Sequence, residues 1–202
     1  TAIQKWDLHK RIALFVLENA GSNGASLVFG FMLTAAVISM WVMNTATTIM
    51  LLPIGLAVVS VVKTTVNYLS DEDLESFQLA LLLGIAYGAT IGGMSTLIGT
   101  GPNGMLAAFM ADNYDLDISF VDWMKVGVPL SAVMLPCSWF ILTKLIFKVN
   151  FETSSETKEL LSSMKEELGK LEGPELKVLI VFFITAMAWM FRTVLDNYSL
   201  LS

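Results

Sequence analysis

The residues whose types and spacing could do chemistry in this sequence lie where polar groups are least at home. Asn44, Thr45, Thr47 and Thr48 follow Trp41-Val42-Met43 in the middle of a stretch, Ala25 to Val62, that is otherwise apolar. Amides and hydroxyls are costly to bury in hydrocarbon unless something binds them, so such an interruption marks a candidate ligand site. A second interruption, Gly99-Thr100-Gly101-Pro102-Asn103, divides the apolar run from Gln78 to Met110. Its two glycines and proline lower helical propensity and remove a backbone donor. Where a helix restarts, near Thr45 or Ala46 and again near Gly104, unpaired N–H groups and the positive end of the helix dipole form an anion site. Carbonyls freed at Met43 and Gly99, with the hydroxyl of Ser39, are hard oxygen donors suited to a small cation. Asn44 alone is equally well explained as a residue bonding across helices. With Thr45 beside it and a Gly/Pro break downstream, the pattern is that of an ion-coupled site for an anion at mid-membrane.

The elements that must position these residues follow from composition. With 55% apolar and 15% charged residues, a chain of 202 residues is an integral membrane protein or a piece of one. Its mean hydropathy of +0.68 agrees. The chain begins with Thr1 and has no recognisable signal peptide, which reads as an internal fragment. A single cysteine, Cys137, excludes an intrachain disulfide and reads as a small packed residue. A formal charge of −6 without a basic cluster argues against nucleic acid as a partner.

Crossing the hydrocarbon takes about 20 helical residues. Blocks 126–149 and 176–195 each fit one crossing. Block 25–62 is too long and divides into two arms, the second running from Ile49 to Val62 with Pro53 in its first turn. The reading is a re-entrant helical hairpin with its tip at 43–48. Block 78–110 reads as one transmembrane helix unwound at 99–103. Segment 1–24 is expected to be a cytoplasmic or interfacial helix, 63–77 a cytoplasmic loop and 111–125 an extracytoplasmic loop. Segment 150–175 carries Leu160, Leu161, Met164, Leu168 and Leu171 at near-helical spacing, Thr153 and Glu156 as a capping box, and Gly173-Pro174 as a stop. It is expected to be an amphipathic arm on the cytoplasmic surface.

Charge placement tests this topology. Putting the N-terminal segment, 63–77 and 144–177 on one side gathers ten of the twelve basic residues, leaving Lys125 and Arg192 opposite. By the positive-inside rule the ten-residue side is cytoplasmic, which requires block 25–62 to enter and leave on that side. Every Asp and Glu falls in an expected loop or surface helix, so no intramembrane carboxylate pair offers acid–base chemistry or a proton relay. His9, the one histidine, sits beside Lys10 and Arg11 as an interfacial residue, and nothing points to an enzyme.

The run Ser39-Met40-Trp41-Val42-Met43-Asn44-Thr45-Ala46-Thr47 closing on Leu52-Pro53, together with Ile91-Gly92-Gly93-Met94-Ser95-Thr96-Leu97-Ile98-Gly99-Thr100-Gly101-Pro102-Asn103, resembles the divalent anion/sodium symporter family. The resemblance covers nearly the whole chain. It implies an all-α integral membrane fold in which a re-entrant hairpin and a discontinuous helix form one half of an inverted-repeat, elevator-type homodimer in the cell's inner membrane. The family's Ser-Asn-Thr signature has one counterpart here, Met43-Asn44-Thr45, so the second repeat is expected to be absent. The implied sodium ligands are Ser39, Met43 (through its carbonyl), Asn44 and Gly99. The implied substrate contacts are Asn44, Thr45, Thr100, Gly101 and Pro102. One departure is plain: the family's signature serine is Met43 here. The implied function is sodium-coupled uptake of C4-dicarboxylates such as succinate, malate or fumarate. Citrate, sulfate and dicarboxylate exchange are alternatives within the family, and a passive anion channel lies outside it.

Overall fold

A computed structural model describes residues 11, 14, 23–66, 68–152, 159, 162–164, 166–169 and 173–190. Among them the elements run α1 (Gly24–Ser39), α2 (Asn44–Thr65), α3 (Asp71–Met94), α4 (Gly101–Tyr114), α5 (Phe120–Phe140) with a π-helical continuation (Ile141–Ile146), and α6 (Gly173–Met190). Three stretches are long and apolar enough to cross a membrane: α2, α3, and α5 with its continuation. The 16 residues of α1 are apolar but shorter. The outer side of α5 leaves Leu130, Val133, Met134 and Phe140 exposed, a surface suited to an apolar surrounding.

Helices α1 and α2 fold back on each other around Met40 to Met43, so that Gly55 of α2 comes opposite Phe31 of α1. Helix α3 then packs along α1 through a glycine stripe. Gly84, Gly88 and Gly92 recur every fourth residue and share one face. A Cβ on Gly88 would lie 2.4 Å from the Met32 carbonyl oxygen, and on Gly92 2.1 Å from that of Ala36. Backbones approach this closely only where side chains are absent, which is how small residues weld helices that gain nothing from hydrophobic sorting in lipid. Phe31, Met32, Leu51, Val58, Leu81 and Ile85 fill the remaining space and are fully buried. At the opposite end a short strap closes the unit. Gly24 N–H donates to the Phe151 carbonyl at 2.9 Å, and Phe151 meets Phe77 edge-on at 5.0 Å between ring centroids.

Several boundaries differ from the sequence reading. The hairpin tip placed at 43–48 is shorter: α2 opens at Asn44, just before the restart expected near Thr45 or Ala46, and the Thr48 hydroxyl donates back to the Asn44 carbonyl at 2.9 Å. Pro53 therefore lies in the body of α2, not its first turn. Segment 63–77 is mostly helical: α2 continues to Thr65, and Ser70 starts α3 by accepting from Asp73 N–H. The loop expected over 111–125 shrinks to 115–119, because Asp115 at φ 52 ends α4 and Ser119 caps α5. The break placed at 99–103 occupies 95–100 instead. Gly101 and Pro102 open α4, where a proline without an N–H is well suited to a first helical turn. Cys137 is exposed on α5 rather than packed.

Of the stripe in 150–175, Met164 and Leu168 pack on the core, while Leu160, Leu161 and Leu171 lie outside the described residues, as does His9. Arg11 donates to the carbonyls of Leu168 and Gly169 at 2.7 and 2.8 Å and pairs with Glu175 at 3.0 Å, joining the N-terminal segment to that region.

Two stability predictions follow from this packing. Gly92→Ala drives a methyl into the α1 backbone and should cost about 3 kcal/mol, whereas Gly104→Ala, with open space around it, should gain about 0.5–1 kcal/mol; thermal unfolding in detergent separates the two. Thr34, wholly buried in α1, has a hydroxyl without a hydrogen-bond partner among the described residues. Thr34→Val, close in shape but without the hydroxyl, should raise stability by about 1 kcal/mol in the same assay.

Candidate functional site

An interrupted helix leaves its last four carbonyls without helical donors. At the end of α3 each of them is met. Ile91 O accepts from the Ser131 hydroxyl at 2.8 Å, Gly92 O from Ser95 N–H at 3.0 Å, Gly93 O from the Asn103 amide at 2.9 Å, and Met94 O from the Trp123 indole at 3.0 Å. Ser131 and Trp123 come from α5, where together with Gly127 they form a four-residue spacing on one face. A Cβ on Gly127 would lie 2.7 Å from the Met94 carbonyl oxygen, so α5 lies directly on the end of α3.

The turn between α1 and α2 lies against this break. The Ser39 hydroxyl donates to Asn44 Oδ1 at 2.7 Å. That same amide abuts Gly93, whose added Cβ would be 2.2 Å from Oδ1. On the other side of Gly93 lies Gly99, whose added Cβ would be 2.4 Å from the Gly93 carbonyl oxygen. Ser39, Asn44 and Gly99, proposed from sequence as cation ligands, thus converge around Gly93. Both Gly93 and Ser39 are buried.

The fourth position, Met43, is arranged differently from its expectation. Its carbonyl is not freed by the turn but accepts Thr47 N–H at 3.0 Å as the first acceptor of α2, leaving one lone pair. The freed carbonyl of the turn is that of Met40, which takes the Thr96 hydroxyl at 2.5 Å. Gly99 N–H donates to that same hydroxyl at 3.1 Å. The Met43 side chain is 69% exposed and does not fill the site.

The helix starts divide into two kinds. Asn23, Ser70 and Ser119, which begin α1, α3 and α5, each accept a backbone N–H with the side chain, at 2.7, 3.1 and 3.1 Å. Met43 and Thr100, which begin α2 and α4, make no side-chain cap. The first N–H groups of α2, and in α4 that of Gly101, are therefore left for another acceptor; Pro102 has no N–H, and Asn103 N–H donates to the Thr100 carbonyl at 3.2 Å. Among the proposed substrate contacts, Asn44 lies at the convergence, Thr45, Gly101 and Pro102 are exposed, and Thr100 is half-buried.

Thr96, Asn103, Ser131 and Trp123 carry much of this arrangement; the first two stand in the motif quoted from the sequence without a role assigned to them, and the last two lie outside it. Gly92-Gly93 preceding a Ser-Thr pair was the available signal for the first two; the α5 contributions had none beyond a serine and a tryptophan four-residue multiples apart.

Two helix breaks facing each other within an apolar helical unit define a membrane protein with a polar half-site. Comparison with known proteins places it further. The profile of the CitMHS family, described as citrate transporter, matches residues 1–202, and the chain belongs to that family. It is 35% identical over 192 residues to the sodium-dependent dicarboxylate transporter SdcS of Staphylococcus saprophyticus subsp. saprophyticus, covering 95% of this chain and 37% of that protein. The protein of the same name from Staphylococcus aureus (strain USA300) is 32% identical over the same share of each. The chain spans a little over a third of the length of these relatives.

Trp123→Phe keeps an aromatic side chain, smaller than the indole, and removes the donor to Met94 O. It should lower stability by about 1–3 kcal/mol, read as a fall in the detergent unfolding midpoint.

Proposed function

We propose that this chain is one half of a secondary active transporter that couples sodium to the uptake of C4-dicarboxylates such as succinate, malate or fumarate, and not an enzyme. The observation that carries the reading is the contrast between helix starts: α1, α3 and α5 are capped by their own side chains, and α2 and α4, which open at the two breaks, are not. Uncapped N–H groups with the positive ends of two helix dipoles attract an anion. Ser39 Oγ donates to Asn44 Oδ1 at 2.7 Å, and if the hydroxyl keeps its proton but turns it away, lone pairs of both oxygens face a cation. Sodium is met by these oxygens with the carbonyls of Met43 and Gly99. The substrate carboxylate is met by Asn44 and Thr45, with Thr100 and the Gly101–Pro102 backbone facing them.

Moving a dianion out of water is prohibitive without compensating charge. None of the proposed contacts is Lys or Arg, so sodium supplies the positive charge and its binding precedes or strengthens that of the anion. The α1–α2 pair acts as the re-entrant hairpin, and the half moves against a homodimeric scaffold in an elevator-type step across the inner membrane as part of a multi-pass protein. The names of the relatives favour a dicarboxylate, and the description of the family supports citrate as the second reading.

In proteoliposomes holding the full-length protein, sodium-dependent succinate uptake should saturate and Asn44→Ala should abolish it. Unchanged uptake in the variant would refute the site, non-saturating flux indifferent to a sodium gradient would indicate a channel, and stronger competition by citrate than by malate would select the second reading.

A further inference from the structure

Thr96 is fully buried between the two breaks and is hydrogen-bonded to both. Its hydroxyl donates to Met40 O in the α1–α2 turn and accepts from Gly99 N–H in the α3–α4 turn. A hydroxyl has one proton to give and lone pairs to receive, so one group serves both sides at once. Its own carbonyl is held in turn: Asn103, itself buried, spans Thr96 O at 2.7 Å and Gly93 O at 2.9 Å with one amide nitrogen. The chain of contacts runs from Met40, next to Ser39, through Thr96 to Gly99, with Asn103 bracing it from α4.

We propose that Thr96 is the positioning residue of the ion site: its hydroxyl sets the separation between the Ser39–Asn44 oxygens and the Gly99 backbone, and so sets sodium affinity without touching sodium or substrate. This rests on the sodium-coupled reading above. Thr96→Val keeps the shape but strips the clamp, leaving the Met40 carbonyl without its donor and the Gly99 N–H with only its longer contact, 3.4 Å, to the Thr96 carbonyl. The two halves of the site then lose their fixed spacing. Asn103 still holds the Thr96 backbone, so the loop itself persists. The effect therefore falls on the ion that must bridge both halves.

The test is a sodium titration of succinate uptake in proteoliposomes with the full-length wild type, Thr96→Val and Thr96→Ser. Thr96→Val should raise the half-saturating sodium concentration about tenfold, with the succinate KM at saturating sodium within about twofold of wild type. Thr96→Ser, which keeps the hydroxyl, should restore the wild-type sodium curve. A purely structural role would instead lower the amount of active protein and leave the sodium curve in place. An unshifted curve in Thr96→Val, or an equal shift in Thr96→Ser, overturns the proposal. If Thr96→Val does not yield folded protein, Thr96→Cys, with its weakly donating thiol, should show an intermediate shift, and no shift would count against the clamp. Failure of the underlying reading is seen separately, as wild-type uptake that does not respond to sodium at all.

Discussion

The constraint on which the rest depends is that backbone polar groups away from water must be paired, and a helix stopped inside an apolar unit leaves four carbonyls that its own turns cannot satisfy. The end of α3 meets this with donors from three different places: Ser95 of the turn itself, Asn103 of α4, and Ser131 and Trp123 of α5. Each donor is worth little alone, about 0.5–1.5 kcal/mol net, but each omission would leave a buried acceptor at about 1–3 kcal/mol. The break is thus held from several sides at once, and its shape is fixed by the helices around it more than by the residues within it. That is why a segment with so little helical propensity can hold one defined shape at the candidate site.

Close approach of α1 and α3 carries that order to the other break. Because Gly88 and Gly92 let the α1 backbone come within contact of α3, the turn after Ser39 can only fall beside the turn after Met94. Widening the gap by one methyl would separate Asn44 from Gly93 and Met40 from Thr96, since both contacts lie immediately beyond the stripe. The same stripe therefore serves packing and site geometry. Its conformational cost, glycine in a helix interior, is offset by the contacts it permits.

The convergence of the two breaks at the candidate site was legible in the sequence for a simple reason: Asn44 and Gly99 are polar or helix-breaking residues set in apolar runs, and in such runs exceptions stand out. Their boundaries were less legible. Thr45, Thr47 and Thr48 look like loop residues by polarity, yet a threonine hydroxyl can satisfy itself on the preceding turn, as Thr48 does on Asn44, so the helix absorbs them. Pro102 signals the start of a helix as strongly as the end of one, which displaced the break by several residues. Cys137 was misplaced because an apolar residue on a membrane-type helix can face outward as readily as inward, which reverses the expectation drawn from water-soluble proteins. Thr96 was passed over because its importance lies in what it joins, and pairing across 56 residues of chain leaves no local trace.

Met43 can now be weighed in physical terms. It is the N-cap of α2, the position where serine is among the preferred residues because its hydroxyl accepts from the first backbone N–H groups. Replacing such a serine by an apolar side chain costs the helix about 0.5–2 kcal/mol. The methionine here turns its side chain outward, so it neither caps α2 nor enters the convergence around Gly93. The donors a serine would occupy at that position are left free, while Ser39, Asn44 and the Met43 carbonyl keep their places. On the symport reading, an anion at this tip meets the first backbone N–H groups of α2 beside Asn44 and Thr45, with no hydroxyl at position 43.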